Sequence, residues 1–483
     1  MRARVSTIAA VVAIALLVGC GAANTGSSGS TLRATWVDPG STGALARGPA
    51  EPFVQRTDLA SASRSVTTLA TLGQITDAHV RDEESPARVP FLDRLGAPFN
   101  STFRPQEALS TQVLTSIVRS LDAEGPQAVV ETGDLIDNDQ QNELRWATTA
   151  LRGGQIRPDS GAPGYDGVQS QDDPDPLFYR PDVDAPRHPG LLHEAQQPFR
   201  SPGLDAPWYP VLGNHDLLVQ GELAPTAATE RIATGRRRVL SLDPNAVDLA
   251  QARRDPARAV SALLAGRIPG ETQATAPDPS RRELPSAEVA KRLTSASRHG
   301  SLRGGRLDYT FDVGASVRGI VLDTIDRISG SEGVLSAGQL SWLRSQLRAA
   351  GARHVIVFAH QPLDSFPSGT GALALLDRDP HVIAVVAGNT HRNRIEPRRS
   401  PAGGYWQITT SSLADWPQQA RMLRLVRTAS GRLALETWMV DGTGSPLADT
   451  ARALAYLDAQ GGRPQDFAGT PADRNAVLYL NSR

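Results

Sequence analysis

Short apolar runs, each closing on a polar cluster, recur along the chain from about residue 69 onward. They occupy 69–76, 128–132, 208–212, 318–322, 354–358, 382–387 and 405–409. Runs of that length bounded by turn-forming residues predict buried or half-buried strands. Helical patterns lie between several of them, at 105–124 after the first run and at 336–350 before the fifth. The second opens on Ser336 with Gln339 three positions on, the spacing of a capping box. Strands alternating with helices predict an α/β domain built on a layered sheet. Two excursions interrupt the pattern. Residues from about 153 to 206 are rich in Asp, Pro and Gly, which predicts an irregular surface insertion. Residues from about 221 to 303 are rich in Ala and Arg, with breaks at Pro256, Pro269 and Pro285. Long excursions of this kind are lids or disordered segments. No internal repeat is present.

The first residues follow another pattern. Arg2 and Arg4 precede a largely apolar stretch at 5–18, too short for a comfortable membrane span and patterned as a signal peptide. It ends in Leu17-Val18-Gly19-Cys20, which resembles a bacterial lipobox, and Cys20 is the only cysteine in the chain. The alternative is ordinary secretion without modification of Cys20. Lipidation at Cys20 leaves no thiol for a disulfide, so stability must come from packing and metal. Gly, Ser, Thr, Ala and Pro dominate 21–65, a composition with little capacity to bury surface. The expected organisation is a lipoprotein signal peptide at 1–19, a flexible tether at 20–65, a catalytic domain at 66–445, and a C-terminal extension at 446–483 packing on it. Such a protein sits outside the cell membrane, anchored to its outer face.

Charge narrows the partners further. The 483 residues carry 50 basic and 51 acidic side chains, a net charge of -1, and Lys291 is the only lysine. No basic field argues for nucleic acid.

Chemistry concentrates at the ends of the predicted strands. Five clusters stand there: Asp77-Ala78-His79, Gly133-Asp134-Leu135-Ile136-Asp137-Asn138, Gly213-Asn214-His215-Asp216, Ala359-His360-Gln361-Pro362 and Gly388-Asn389-Thr390-His391. Loops at the carboxyl ends of strands in open α/β sheets gather into one crevice, so distant residues can converge. Mixed oxygen and nitrogen donors suit Zn, Mn or Fe better than Ca. The ordered set D-x-H, G-D-x-x-D-N, G-N-H-D, H and G-x-x-H resembles the calcineurin-like metallophosphoesterase superfamily over about residues 69–440. The stretches Ser85-Pro86-Ala87-Arg88, Arg104-Pro105-Gln106-Glu107 and 137–146 also resemble a bacterial, largely actinomycete branch of it.

The resemblance implies a four-layer α/β/β/α sandwich with the two excursions as surface insertions. It also implies two divalent metal ions (Mn, Fe or Zn) and hydrolysis of phosphoric mono- or diesters through a metal-bridging hydroxide. Asp77, His79 and His391 would hold the first metal, Asp134 would bridge, and Asn214 and His360 would hold the second. His215 would act as general acid, oriented by Asp137. Two metals activate water and clamp the attacking and leaving oxygens of an in-line displacement, and a histidine near neutral pKa can supply the proton. One position departs from the superfamily pattern: Asn389 stands where G-H-x-H has a histidine on the second metal. Three arrangements are open: Asn389 ligates directly, it holds a metal-bound water, or the second site is weakened.

Plainer roles compete for several residues. Asp137 has a second reading as a helix cap, and Asp216 reads as a turn or cap residue with support of the ligands as the lesser role. Asn138, Asn142 and Glu143 line a pocket or form a solvated helix face. The other reading of the whole chain is a catalytically weakened surface protein that keeps one structural metal and binds a partner. The substrate beyond a phosphorylated compound is not written in these motifs. Two sites of unequal affinity are expected, so metal analysis of purified protein under excess Mn or Zn should show a second ion binding more weakly than the first. A firm stoichiometry of one would count against this.

Overall fold

The computed structural model describes residues 29–96, 102–173, 175, 177–241, 243–328, 330–461 and 465–481. Two β-sheets form its centre. The first has seven strands, in the order Val54–Arg56, Ala476–Tyr479, Leu433–Asp441, Gln419–Thr428, Ser65–Ile75, Ala128–Glu131 and Trp208–Pro210. The second has six, in the order Tyr309–Val313, Val317–Leu322, His354–Ala359, Val382–Ala387, Tyr405–Thr409 and Arg394–Arg398. Each of the seven apolar runs forms a strand. Those that carry the motif loops lie parallel within their sheets, so their carboxyl ends share one edge of the molecule.

Period-two alternation explains the layers. Ile356 and Phe358 face inward and share one core with Phe311 and Trp406 of the same sheet and with Leu72, Val129, Met422 and Leu435 of the other. Val355 and Val357 face outward against Leu343, Leu347, Leu373 and Leu376. These last come from the helices Ala337–Ala350 and Gly369–Leu376. The helix Ser110–Glu124 puts Leu114, Ile117 and Leu121 into the core on the first sheet's side. The result is a four-layer α/β/β/α sandwich. Ser336 caps its helix as the spacing predicts, its hydroxyl accepting from the Gln339 amide at 3.2 Å while Gln339 returns a bond to the Ser336 amide.

Several boundaries differ from the sequence expectation. The leader, Cys20 and the tether as far as residue 28 lie outside the described residues. The rest of the expected tether is folded onto the domain. Thr31 donates its hydroxyl to the Met439 carbonyl at 3.0 Å, Arg474 pairs with Glu51, and Val54–Arg56 joins the first sheet beside Ala476–Tyr479. Backbone pairing with a distant strand holds this segment, and composition does not register such pairing. For the same reason 446–483 is more than a covering extension, because its last strand lies inside that sheet. The second excursion is also not wholly superficial: Val289, Ala290 and Leu293 of the helix Ser286–Ser297 lie in the main core. Among the described residues no helix is long and apolar enough to cross a membrane.

The hairpin Gln419–Thr428 and Leu433–Asp441 was not marked by an apolar run, because arginines and Glu436 break its alternation. One of them, Arg421, is fully buried between the sheets. It donates to Thr410, just past the strand Tyr405–Thr409, at 2.7 Å, to Asn393 at 2.9 Å, to Thr437 at 3.0 Å and to the Asp473 carbonyl at 2.9 Å. Trp406 adds a second tie, its indole donating to the Tyr479 carbonyl at 3.2 Å. Removing a buried side chain that satisfies several acceptors leaves those with no other donor unsatisfied, at about 1–3 kcal/mol apiece. Arg421→Ala should therefore lower the unfolding free energy by at least about 3 kcal/mol, read as a shifted urea midpoint.

Candidate metal centre

The polar clusters at the strand ends meet where the two sheets come together. Asp77 and His79 follow Ser65–Ile75, Asp134 follows Ala128–Glu131, and Asn214 and His215 follow Trp208–Pro210. From the second sheet, His360 follows His354–Ala359 and His391 follows Val382–Ala387. Side chains from both sheets thus face one space. Carboxylate and imidazole atoms cluster within 4.8 Å in three groups: Asp77, His79 and His391; Asp77, Asp134 and His360; and His79, Asp134 and His215.

The backbone is bent to make this possible. Asp77, His79, Asp134, Asn389 and His391 all have positive φ, from 43° to 65°. Non-glycine residues rarely adopt that region, and such strain collects at functional sites. Glycines give the loops room to interlock. A Cβ at Gly388 would stand 2.0 Å from the Thr76 hydroxyl and 2.4 Å from Asp77 Oδ2, and one at Gly213 would stand 2.1 Å from the Asp134 amide.

Each imidazole is anchored through Nδ1. His360 Nδ1 lies 2.8 Å from the Thr132 carbonyl, His79 Nδ1 lies 2.9 Å from Asp137 Oδ1, and His391 Nδ1 lies 2.5 Å from Asp415 Oδ2. These partners are acceptors, so Nδ1 is the donor and Nε2 is turned to the centre. The Nε2 atoms of His79 and His391 are 3.2 Å apart, and His360 Nε2 is 3.2 Å from Asn214 Oδ1. Asn214 is oriented likewise: its Nδ2 donates to the Gly221 carbonyl at 3.1 Å, leaving Oδ1 inward. Asp134 divides its oxygens. Oδ1 accepts from the His215 amide at 2.8 Å, while Oδ2 lies 3.2 Å from His360 Nε2 and 3.7 Å from His79 Nε2.

This donor set fits divalent metal. Three imidazole nitrogens, two carboxylates and one amide oxygen converge, each fixed from behind as metal ligands are. The field is strongly negative. Burial alone would push His360 and His391 down, yet Asp134 raises His360 to about 10, while Asp415 and Asp77 raise His391 to about 9. His79 goes the other way, to about 4, because burial outweighs its bond to Asp137. Burial also works to raise Asp134, but the surrounding imidazoles hold it well below the usual carboxylate range.

Several residues act differently from the sequence reading. Asp137 touches His215 mainly through its main chain: His215 Nδ1 is 2.8 Å from the Asp137 carbonyl but 3.7 Å from Oδ1. Its carboxylate instead holds His79, Arg81 at 2.8 Å and Arg88 at 3.0 Å. Nor is Asp137 a cap, since Gln140 is the N-cap of Gln141–Arg152. The Asn389 N–H donates to Asp77 at 3.1 Å and so ties the last motif loop to the first, a bond separate from the three side-chain arrangements above. Asp216 is more than a turn residue: it accepts from the amides of Gly213, Asp134 and Ile136 and so locks two motif loops together. Asn142 and Glu143 are fully buried rather than solvated, and Glu143 accepts from the amides of Asp82 and Asn138 at 2.8 Å each. Asp415 was missed altogether. Its only signal was an acid shortly after the strand Tyr405–Thr409, the pattern shown by Asp77 and Asp134.

No family model matches the chain, and no curated protein does. Solved structures overlap with it in part. A dimetal phosphatase from Danio rerio is 13% identical over 78% of this chain and 100% of its own, with a TM-score of 0.42. A purple acid phosphatase from yellow lupin is 11% identical over 83% of this chain and 55% of its own, with a TM-score of 0.35. The sulfate thiohydrolase SoxB from Thermus thermophilus is 14% identical over 83% and 62%, with a TM-score of 0.31. At such overlaps the geometry of the centre alone carries its functional reading.

Arg104 grips Asp415 through Nε at 2.7 Å and Nη2 at 3.0 Å, completing a relay to His391. Asp415→Asn should weaken metal binding about 10- to 100-fold, measured by titrating Mn or Zn into metal-free protein, with the thermal midpoint of the metal-free form as the folding control.

Proposed function

We propose that this protein is a metal-dependent hydrolase of phosphoric esters, acting outside the membrane and anchored through a lipidated Cys20. The observation that carries the reading is the shared orientation of the centre: His79, His360 and His391 are held at Nδ1 and present Nε2 to Asp77, Asp134 and Asn214. A structural histidine has no need of that arrangement three times over. The enzyme reading is preferred to a weakened binding protein because His215 stands beside the ligands. Its ring meets that of His79 edge-on at 4.6 Å between centroids.

Divalent ions held by Asp77, His79, Asp134, Asn214, His360 and His391 would supply Lewis acidity toward the phosphoryl group and lower the pKa of water near neutrality. The protein's own groups do the rest. His215 keeps Nδ1 on the Asp137 carbonyl, so its Nε2 is the nitrogen that can hold a proton for the departing alkoxide. Asp134 fixes the His215 main chain, which ties the acid to the ligand loops. Gly221 packs on the His215 ring, where a Cβ would stand 2.4 Å from Nε2. His215 and His391 are the most open members, with side chains 24% and 13% exposed against 3% or less for Asp77, His79, Asp134 and His360. Substrate reaches the centre from that side.

The test is hydrolysis of p-nitrophenyl phosphate and bis(p-nitrophenyl) phosphate with added Mn. Asp134→Ala should abolish turnover together with metal binding. His215→Ala should retain metal and lose about 10²–10⁴-fold in kcat, the usual range for general acid–base catalysis. No turnover by the wild type, or turnover indifferent to both changes, would sink the reading.

A further inference from the structure

The group that leaves with the ester oxygen must lie beside His215, and a cavity of about 150 Å³ opens there. Leu92, Pro256 and Val260 form its apolar wall, while Gln220 and Glu222 supply the polar groups. Pro256 and Val260 lie on the helix Pro256–Leu264, within the second excursion.

Gln220 is 8% exposed and held in place on three counts. It has positive φ, its amide N–H donates to Asn138 Oδ1 at 2.9 Å, and its Oε1 accepts from Arg88 at 3.1 Å. Its Nε2 is buried and has no partner. A buried donor left open in this way costs stability unless a ligand accepts from it. Glu222 is half-buried and its carboxylate makes no hydrogen bond or ion pair among the described residues. Glu222 lines the cavity together with His215, with which it forms no direct pair, so a ligand cation entering there can take its carboxylate as partner.

The charge balance decides the class of ligand. Arg88, the one cationic side chain of fixed charge in the wall, is already matched by Asp137 at 3.0 Å and Glu107 at 2.8 Å. No free positive charge remains for a second phosphate, which disfavours polyphosphates and nucleotide tails. A small, partly apolar chain ending in a cation meets the wall, the size and Glu222 together.

We propose that this cavity is the leaving-group subsite and that it selects compact aminoalkyl alcohols, with the ester oxygen toward His215 and Gln220 Nε2 and the ammonium on Glu222. The inference rests on the phosphoesterase reading above and names the substrate class of that site. On hydrolysis the P–O bond to the amino alcohol breaks, water supplies the oxygen that stays on phosphorus, and the alkoxide leaves with the His215 proton.

The experiment compares O-phosphoethanolamine and phosphocholine with glycerol 3-phosphate, using Mn-loaded protein and phosphate release. The aminoalkyl esters should show kcat/KM at least about tenfold higher, and Glu222→Gln, which keeps the side-chain shape, should bring the ratio to about one. Independently of activity, saturation-transfer NMR of choline with metal-free protein should show contact in the wild type and its loss in Glu222→Gln. Equal use of the three esters, a ratio untouched by Glu222→Gln, or no choline contact would overturn the subsite. If p-nitrophenyl phosphate is still turned over in those cases, only this inference fails. Hydrolysis of no ester at all would remove the phosphoesterase reading and the subsite with it.

Discussion

Asp137 accepts from His79, Arg81 and Arg88 in a place closed to solvent. A buried carboxylate is tolerated only when paired and hydrogen-bonded. Here burial works to raise it, and the two guanidinium groups and His79 hold it well below the usual carboxylate range. Glu107 closes the ring by pairing with the same two arginines, at 2.9 Å from Arg81 and 2.8 Å from Arg88. The position of His79 depends on this cluster through Oδ1, and that of His215 depends on the same residue through its carbonyl. Arg88 in turn sets the Gln220 amide. Ligand, candidate acid and candidate subsite therefore share one buried ionic knot.

The rest of the centre is positioned by backbone strain. Five residues in the ligand loops adopt the left-handed conformation, each at a cost of about 1–3 kcal/mol. What holds them there is visible in the loops themselves: Asp216 gathers three amides, Glu143 gathers two, and the Asn389 amide rests on Asp77. Carboxylates that accept from main-chain donors therefore do two kinds of work here. Some face the centre, and others fasten the loops that carry it.

The second excursion takes part in both the core and the pocket. Its helix Ser286–Ser297 packs under the sheets, and its helix Pro256–Leu264 forms a wall beside His215. An insertion anchored at one end and lining the site at the other can shape the pocket for a leaving group without altering the metal ligands. The same excursion touches the ligands as well, since the Gly221 carbonyl at its start accepts from Asn214.

The sequence by itself determined the seven strands that carry apolar runs, the capping box at Ser336, and the five polar clusters at the strand ends. Those features are local: alternation, a cap spacing and a motif are all complete within a few residues. Tertiary structure alone decided the remainder. The strands Gln419–Thr428 and Leu433–Asp441 are broken in pattern by charges that find partners only after folding, with Arg421 reaching Asn393 and the Asp473 carbonyl. Residues 29–56, compositionally a tether, are held by a sheet edge more than four hundred positions away. Asp415 belongs to no motif, and its role depends on His391 and Arg104, which lie on other elements. Asp137 lies within a motif, yet which of its oxygens meets which histidine depends on where Arg81 and Arg88 are buried. Local chemistry can be read along the chain, whereas a buried charge is defined by whatever the fold sets against it.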